Sequence, residues 1–388
     1  MEYFITIYGA FFCFAWWSMY GRIIQSVVIT KNLSLHETIT VNKWPSITIV
    51  IAACNEEDTL ESSVNSLLEQ DYDNLKIILV NDRSSDNTFE IVNNLAEDNR
   101  VSAIHIKELP ENWLGKVHAL SVAVKGITSD WILFTDADVN FEKTALTKSM
   151  SFALSKNADH LTLFPELIVK NFLLEIFIRT FGFLFLFSTK SYEIDKTPNK
   201  TVIGIGAFNL VKKSMLDKSE GFDWLKMEVA DDAGLGLLIK RAGGKSVFAF
   251  ANNLVSLEWY PSVSSMFVGL EKNLFSVAGQ YNIFRLITVV LLIWIFVAAP
   301  FVVLIWSTKY WLIIMAYTAL ACPVLLAIVS KIKLSTKFSI GLFVPFGQLV
   351  ISLMMIRSAV MCITRGGIEW RGTFYPIKQL KKYQRVKF

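Results

Sequence analysis

Long stretches without charge lie near both ends of the chain, whereas the middle alternates short apolar runs with polar segments. Near the N-terminus, 19 charge-free residues separate Glu2 from Arg22. At about 1.5 Å per helical residue, such a run can reach across roughly 30 Å of hydrocarbon. Its acidic start and the basic residues that follow it argue against a cleaved signal peptide. We therefore predict a transmembrane anchor over residues 1–30, with its C-terminal end in the cytoplasm.

Three more apolar runs, each bounded by basic residues, lie in the C-terminal part of the chain. They predict a membrane region over 283–388 with a basic tail and with helices at about 286–308, 310–330 and 338–362. A third full span would put the basic tail outside, against the positive-inside rule, and Pro345, Gly347 and Gln348 interrupt that run. We therefore favour a broken or re-entrant third segment. The whole chain is then a multi-pass protein of the cell membrane whose middle domain is cytoplasmic.

The middle of the chain, residues 45–260, has the pattern of a globular α/β domain. Short apolar runs rich in β-branched residues alternate with segments of helical spacing, which predicts βαβ crossovers and a mainly parallel, Rossmann-like sheet. Polar clusters follow three of the predicted strands, at Asn55–Glu57, Asn81–Asp82 and Asp136–Asp138. Since ligands bind beyond the carboxyl ends of parallel strands, these clusters indicate one binding site.

One further apolar segment lies within this domain, and another follows it. Residues 171–188 hold six phenylalanines, with Glu175 and Arg179 one helical turn apart. A helix lying in the membrane interface and a buried core helix both fit this pattern, and we favour the interfacial helix. Residues 261–282 are predicted to be a second interfacial helix region, between the globular domain and the membrane helices.

Composition narrows the function. The 388 residues are 53% hydrophobic and 19% charged, with a mean hydropathy of +0.43, which excludes intrinsic disorder. The net charge of +4 comes without a basic block in the middle domain, so we expect no nucleic-acid partner. Neither a P-loop nor a dinucleotide-binding glycine motif is present. The four cysteines are far apart, as expected for buried thiols rather than a disulfide or zinc framework.

The sequence Asp136-Ala137-Asp138 is the sharpest chemical motif. Two carboxylates two residues apart, directly after the apolar run WILFT, suit the hard cations Mg²⁺ and Mn²⁺, and a diphosphate can complete the coordination shell. A solvated turn is the alternative for such a short motif. Its position at a strand end favours metal binding.

Taken in order, the motifs resemble those of the family 2 glycosyltransferases, which are inverting enzymes with a GT-A nucleotide-diphospho-sugar transferase fold. The resemblance covers roughly residues 45–280 and is carried by four stretches: IAACNEE, LVNDRSSDNT, TDADV and VADDAGLGLLIKRAG. It implies that Glu56 or Glu57 and Asp82 line the nucleotide pocket. It also implies that Asp136 and Asp138 hold the metal, Mg²⁺ or Mn²⁺, and the diphosphate of the sugar nucleotide.

The same resemblance implies that Asp232 is the general base and Asp231 its acidic neighbour. The family usually has Glu at the first of these positions, which leaves open which of the two is the base. A carboxylate that takes the proton of an attacking hydroxyl fits the chemistry. The pair also suits the N-terminus of a helix, where a carboxylate stays ionised.

A narrower resemblance concerns the subgroup that glycosylates lipids and polyisoprenoids, such as carotenoid, hopanoid-associated and ceramide glycosyltransferases. It is carried by ELPENWLGKVHALSVAVKG, in which Lys116 could neutralise a phosphate, and by GIEWRGTFY near the end. A solvated lysine and an interfacial aromatic anchor are the alternatives. The Gln-x-x-Arg-Trp motif of processive polysaccharide synthases is missing, and the matching region reads GLEKNLFSVAG.

These resemblances together imply transfer of a single hexose from a nucleotide sugar, expected to be UDP-linked, to the hydroxyl of a membrane lipid. Two alternatives remain open. One is a small processive polysaccharide synthase, and the other is a non-catalytic membrane scaffold.

Overall fold

The computed structural model describes residues 2–194 and 201–387. Its strands are β1 (Lys31–Asn32), β2 (Ile47–Ala53), β3 (Leu75–Asp82), β4 (Val101–Ile106), β5 (Trp131–Thr135), β6 (Asn140–Phe141), β7 (His160–Leu167), β8 (Asn209–Lys212), β9 (Ser246–Leu257), β10 (Gly367–Trp370) and β11 (Thr373–Pro376). Its α-helices are α1 (Glu2–Ile29), α2 (Leu60–Leu68), α3 (Thr88–Leu95), α4 (Gly115–Ala123), α5 (Ala145–Ser155), α6 (Phe172–Thr189), α7 (Lys213–Lys218), α8 (Asp231–Arg241), α9 (Val263–Gly269), α10 (Glu271–Gly279), α11 (Ile283–Trp306), α12 (Tyr310–Leu334), α13 (Phe338–Leu342), α14 (Val344–Arg365) and α15 (Ile377–Tyr383).

The central sheet has the strand order β1-β9-β7-β8-β5-β2-β3-β4, with β6 beside β9. Strands β5, β2, β3 and β4 pair in parallel, as the alternation of strands and helices predicts. Strand β8 runs antiparallel to both of its neighbours, β5 and β7. The sheet is therefore mixed but mostly parallel, which is the topology of a GT-A domain.

The side chains of the buried strands point alternately to the two faces of the sheet, and helices cover both faces. Ile47, Ile49 and Ile51 of β2 belong to a buried cluster that includes residues of α2, α3 and α5. Val50 faces the opposite side, in a cluster with residues of α4 and α8. Strands buried on both faces are nearly continuously apolar, which is why β2 reads ITIVIAA. The carboxyl ends of the strands are then left as the polar, accessible edge.

Helices α1, α11 and α12 pack along one another beyond the sheet. The Nε1 of Trp16 donates a hydrogen bond to the backbone oxygen of Phe296 at 2.7 Å, and the two rings stack 5.4 Å apart. The ammonium of Lys309 lies 5.9 Å from the ring centroid of Tyr3, so the turn between α11 and α12 is beside the start of α1. The other end of α1 leads into β1, which pairs with β9. The α11–α12 turn is therefore the end of this bundle that is remote from the sheet.

Among the residues that the structure describes, four helical segments are long and apolar enough to cross a membrane. They are Phe172–Glu193, Ile283–Trp306, Tyr310–Leu334 and Val344–Arg365. The N-terminal helix α1 has 28 residues but is not one of the four, because its many tyrosines, tryptophans and polar residues lower its mean hydropathy. Apolar helices thus lie mainly in the C-terminal region, and they indicate a membrane protein.

The third apolar segment, predicted over 338–362 and expected to be broken, is divided at Phe343 into α13 and α14, and α14 continues to Arg365. Pro345 causes the division, because it lacks a backbone N–H and fits only the first turn of a helix. Just before α13, the ammonium of Lys337 pairs with Glu175 of α6 at 2.9 Å, and α14 leads into β10 and β11, whose turn contacts the backbone oxygen of Asn55 directly after β2. Both ends of the segment thus lie on the side of the sheet, as a broken third segment requires.

Helix α6 has properties of both interpretations that the sequence left open. Leu174, Ile176 and Phe177 belong to the core cluster of the sheet domain. Phe183 and Leu186 belong instead to the cluster that α1 forms with α12. The helix is therefore packed on two sides and connects the sheet to the membrane helices.

Candidate active site

The predicted polar clusters converge at the carboxyl ends of β2, β3 and β5. Seven of the eight predicted site residues line one cavity: Glu56, Asp82, Lys116, Asp136, Asp138, Asp231 and Asp232. The eighth, Glu57, makes a different contact, since its Oε2 accepts a hydrogen bond from the backbone N–H of Asn87 at 2.9 Å. Of the two glutamates that the sequence offered for the nucleotide pocket, Glu56 is the one beside the other carboxylates.

Asp136 and Asp138 follow β5 and form the acidic floor of the cavity. Burial, and then the charge of Asp136, raise the pKa of Asp138 to about 6. The Oδ1 atom of Asp138 is buried and accepts no hydrogen bond from the described part of the chain. A buried carboxylate oxygen without a donor is costly unless a cation binds it, so the residues fit a hard divalent cation.

The protein alone would supply only part of such a coordination shell. Within residues 2–194 and 201–387, no group of three or more His, Cys, Asp or Glu side chains is arranged to hold a metal. The two carboxylates that follow β5 could therefore hold Mg²⁺ or Mn²⁺ together with ligand phosphates and water.

Lys116 connects the two acidic pairs. Its ammonium lies 2.6 Å from Asp136 and 3.4 Å from Asp231. Burial lowers the pKa of Lys116, but the attraction of Asp136 and Asp231 outweighs burial and leaves the pKa raised. The lysine is therefore protonated at neutral pH and holds the start of α4 against both carboxylates.

Asp231 and Asp232 begin α8. The carboxylate of Asp232 accepts hydrogen bonds from the backbone N–H groups of Ala233 at 2.7 Å and Gly206 at 3.1 Å. Burial, and then repulsion by Asp231, raise the pKa of Asp232 to about 7. A carboxylate with a pKa near neutrality is suited to accept a proton from an attacking hydroxyl. The geometry favours Asp232 as the base, because Asp231 is already paired with Lys116.

Glycines let the backbone approach these carboxylates. A Cβ atom on Gly204 would lie 1.8 Å from the backbone oxygen of Asp232, and one on Gly206 would lie 2.3 Å from Oδ2 of Asp136. The stretch GIGAF at residues 204–208 is thus explained by close packing between the two acidic pairs.

Asp82 ends β3 and is held by its neighbour. The guanidinium of Arg83 contacts both of its carboxylate oxygens, at 2.7 and 3.0 Å. Gly115 is required beside this pair, because a Cβ there would lie 2.4 Å from Oδ2 of Asp82. This fixed pair forms one wall of the cavity.

A C-terminal hairpin, residues 367–376, completes the cavity and was not predicted as an element. Strands β10 and β11 are joined by a two-residue turn in which Arg371 and Gly372 have φ of 49° and 71°, as a type I′ turn requires. The guanidinium of Arg371 pairs with Glu56. Burial raises the pKa of Glu56 to about 7, although Arg371 lowers it. The hydroxyl of Tyr375 accepts a hydrogen bond from the backbone N–H of Gly115 at 3.1 Å.

Lys272 of α10 is a further site residue that sequence reasoning did not single out. Its ammonium lies 3.8 Å from the ring centroid of Trp370 in the hairpin. Burial lowers its pKa to about 8, and Lys116 contributes to this shift. No carboxylate of the described residues lies within ion-pair distance of Lys272, so this cation is available to an anionic ligand. The only sequence signal for Lys272 was that the region matching the synthase motif reads GLEKNLFSVAG instead.

The cavity extends from the carboxylates into the apolar helices and has a volume of about 1460 Å³. Helices α1, α6, α11 and α14 each contribute side chains to its other end, among them Phe12, Met19, Phe181, Phe185, Phe296 and Met355. One continuous space therefore has an acidic end at the sheet and an apolar end between helices of the membrane region.

Two of the four cysteines, Cys54 and Cys362, contribute to the lining of the cavity. Cys13, Cys54, Cys322 and Cys362 are free thiols, which confirms the expectation that they form no disulfide framework.

Comparisons with known proteins agree with the fold. The family model for glycosyl transferase family 2 matches residues 48–219. Poly-beta-1,6-N-acetyl-D-glucosamine synthase of Staphylococcus aureus (strain MSSA476) is 33% identical over 117 residues, which are 30% of this chain and 27% of that protein. An uncharacterized glycosyltransferase of Haemophilus influenzae is 32% identical over 114 residues, which are 29% of this chain and 44% of that protein. The matched region thus spans about a quarter of the length of the first relative and less than half of the length of the second.

Among solved structures, the mannosyltransferase PcManGT from Pyrobaculum calidifontis, in complex with GDP-Man and Mn²⁺, is similar with a TM-score of 0.52. The likeness covers 92% of this chain and 99% of that one at 17% sequence identity, so it concerns the fold. Residues 48–219 thus match glycosyl transferase family 2, and the sheet domain has the GT-A glycosyltransferase fold and is joined to apolar helices that are long enough to cross a membrane.

Proposed function

We propose that this protein is an inverting, metal-dependent glycosyltransferase that moves one hexose from a nucleotide sugar, UDP-linked, to the hydroxyl of a membrane lipid. One observation carries the proposal: a single cavity joins the carboxylate cluster to an apolar space between α1, α6, α11 and α14. A water-insoluble acceptor could enter between these helices and present its hydroxyl to the carboxylates. A lipid of the kind used by the polyisoprenoid- and ceramide-directed subgroup suits such a space.

Asp232 acts as the general base in this proposal. The acceptor oxygen bonds to the anomeric carbon while the bond from that carbon to the diphosphate oxygen breaks. The acceptor proton passes to the carboxylate of Asp232, and the nucleoside diphosphate leaves with the electron pair. Hydrogen bonds from Ala233 and Gly206 keep this carboxylate oriented.

The sugar nucleotide binds to other residues of the same cavity. Lys272 and Arg371 offer positive charge to the diphosphate, while Asp82, fixed by Arg83, forms the nucleotide wall. Asp136 and Asp138 would hold Mg²⁺ or Mn²⁺, which when bound offsets the charge that develops on the leaving diphosphate. The Mn²⁺ in the complex of the mannosyltransferase of similar fold agrees with this assignment.

The orientation in the membrane follows from charge. Lys331 and Lys333 lie in the last turn of α12, Lys337 lies directly before α13, and the basic residues of the tail follow α14. These groups lie on the side of the sheet domain, whereas the remote α11–α12 turn carries Lys309. By the positive-inside rule, the catalytic domain is cytoplasmic.

A processive polysaccharide synthase is the second candidate, because the Staphylococcus aureus relative synthesises poly-beta-1,6-N-acetyl-D-glucosamine by its name. A growing polysaccharide needs a polar channel, whereas the membrane end of this cavity is lined by side chains such as Phe181, Phe296 and Met355. The missing Gln-x-x-Arg-Trp motif also favours addition of one sugar.

The test measures whether the labelled sugar is transferred to a product that is soluble in organic solvent or to an insoluble polymer. Membranes that contain the protein are incubated with labelled UDP-glucose and Mn²⁺ and then partitioned into organic solvent, with Asp232→Asn as the control. We expect label in the organic phase that is lost in the variant. Label in insoluble polymer would instead establish the synthase, and no incorporation from any nucleotide sugar would favour a non-catalytic scaffold.

A further inference from the structure

We propose that Glu228 is a positioning residue for the catalytic pair and that the C-terminal segment 384–386 holds it in place. The inference rests on the proposed function, since it takes Asp232 to be the base. It assigns a role to two parts of the chain that no sequence motif connects. The segment lies beyond the hairpin and α15, yet it contacts the loop that leads into α8.

Glu228 is the point of contact. Its side chain is 2% exposed, and its Oε2 accepts hydrogen bonds from the backbone N–H groups of Arg385 at 2.6 Å and Val386 at 2.9 Å. Its Oε1 accepts a third from the N–H of Ala230 at 3.0 Å. Two donors therefore come from the C-terminal segment, and one comes from the residue directly before Asp231.

A buried carboxylate depends on such donors. Burial raises the pKa of Glu228, and the N–H groups of Val386, Arg385 and Ala230 oppose that rise. Removing one donor from a buried charged acceptor leaves it undersatisfied, and the acceptor then moves or draws in water. Because Ala230 is bound by the same carboxylate, a displacement of Glu228 is passed on to the start of α8.

Other contacts fix the segment to the body of the protein. The Nε of Arg385 donates to the backbone oxygen of Trp224 at 3.1 Å, and the guanidiniums of Arg385 and Arg241 lie 5.1 and 4.9 Å from the centroid of the Trp224 ring. The side-chain amide of Gln384 donates to the backbone oxygen of Ser276 in α10 at 2.9 Å. The segment thus bridges α10 and the loop that precedes α8.

That loop also touches the helix that carries the cluster's lysine. The backbone N–H of Leu114 donates to the backbone oxygen of Lys226 at 2.7 Å, directly before α4 and Lys116. Residues 226–230 therefore lie between the two elements that place Lys116 and Asp232. Holding this loop at Glu228 fixes the distance between the two.

A proline substitution tests the backbone N–H of Arg385 separately from its side chain. Arg385→Pro removes the N–H that binds Glu228, and Gln384 already has the extended conformation, ψ 122°, that a following proline requires. Arg385→Ala is the matched control, because it removes the same side chain and keeps the N–H. We expect Arg385→Pro to lower kcat for hexosyl transfer on the order of tenfold to a hundredfold relative to Arg385→Ala, with donor KM unchanged.

Amide hydrogen exchange provides a readout that needs no turnover. In Arg385→Pro, exchange should become faster in residues 228–236 and stay unchanged in β2, β3 and β5, and Glu228→Gln should reproduce this pattern. Equal exchange and equal kcat in the proline and alanine variants would overturn the inference. Faster exchange throughout the domain would overturn it too, since it would indicate a general structural role. Absence of transfer to every acceptor would refute the proposed function, and the exchange pattern would still decide whether the segment holds the loop.

Discussion

The two ends of the cavity are built in opposite ways. At the sheet end, carboxylates, lysines and arginines are cross-linked by short ion pairs, and glycines bring backbone within contact distance of Asp136 and Asp232. At the membrane end, helices meet through side chains such as Phe181 and Phe296, and the contacts are mostly apolar.

The difference shows how one site can combine charged groups for the donor with an apolar wall for the acceptor. Charged groups held by several partners cost no reorganisation when the reaction proceeds, so they suit the donor and the transition state. An apolar wall selects by shape and by removal from water. Substitutions at the sheet end should therefore change the chemical step and donor binding, whereas substitutions at the membrane end should change acceptor binding alone.

Loss of the metal site should produce the largest effect. Asp138→Asn removes the carboxylate whose buried Oδ1 has no donor among the described residues, and we expect kcat/KM to fall by about a thousandfold or more. The measurement is Mn²⁺-dependent transfer by purified protein, with the exposed Asp223→Asn as the control. Unchanged activity with an unchanged Mn²⁺ requirement would contradict the assignment of Asp138.

Loss of the base should affect turnover and spare donor binding. Asp232→Asn should lower kcat by roughly a hundredfold or more, because the neutral amide cannot accept the acceptor proton. Calorimetric titration with UDP and Mn²⁺ should give nearly the wild-type Kd. If Asp231→Asn instead gave the larger loss of kcat, the roles of the two aspartates would be exchanged.

The cation at Lys272 should affect the donor. Lys272→Met removes a positive charge that has no carboxylate partner within residues 2–194 and 201–387, so we expect the donor KM to rise by about tenfold to a hundredfold. Lys382→Met is a matched control, because Lys382 is an exposed lysine that also lies over an aromatic ring, that of Tyr383. Equal donor KM values in the two variants would show that Lys272 does not contact the donor.

Lowering the pH should slow the reaction because it protonates carboxylates at the sheet end of the cavity and changes nothing at the membrane end. The base must be ionised to accept a proton, so activity is present above the pKa of Asp232, about 7, and is lost as the pH falls through it. Glu56, with a pKa of about 7, loses its charge in the same range and weakens its pairing with Arg371. A fall in kcat of about tenfold for each pH unit below 7 is expected, with little change in acceptor KM. A pH-independent kcat between 5 and 8 would refute the assignment of an Asp232 base.

Filling the membrane end should produce the smallest effect and the most selective one. Met355→Trp adds bulk to the apolar lining, whereas Ile356→Trp adds the same bulk at the next, outward-facing position of α14. We expect the first variant to raise the KM for a lipid acceptor several-fold and to leave UDP affinity unchanged. Equal behaviour of the two variants would show that the acceptor does not enter between these helices.

The sheet end was largely predictable because its signals are local. Apolar runs rich in β-branched residues predict β2, β3 and β5, and the polar residues that follow each run must meet at one edge of a parallel sheet. Asp82, Asp136 and Asp138 were found in this way, and Asp231 and Asp232 by resemblance.

What the sequence did not reveal depends on contacts between distant segments. The pair of Arg371 with Glu56 joins residues 315 positions apart, and Lys272 meets Trp370 across the junction of α10 with the hairpin. Hydrophobic periodicity reports the face of an element that is buried and not the element that covers it. The division of the 338–362 segment could be anticipated from Pro345, whereas the packing of α14 against α10 could not.

A cryo-electron microscopy structure of the protein in lipid nanodiscs with UDP and Mn²⁺ tests most directly whether the two ends of the cavity are continuous. We expect UDP beside Lys272 and Arg371, Mn²⁺ at Asp136 and Asp138, and an elongated lipid between α6, α11 and α14 whose polar end reaches Asp232. A cavity closed between Met355 and Asp232, or a sugar chain in place of the lipid, would contradict this expectation.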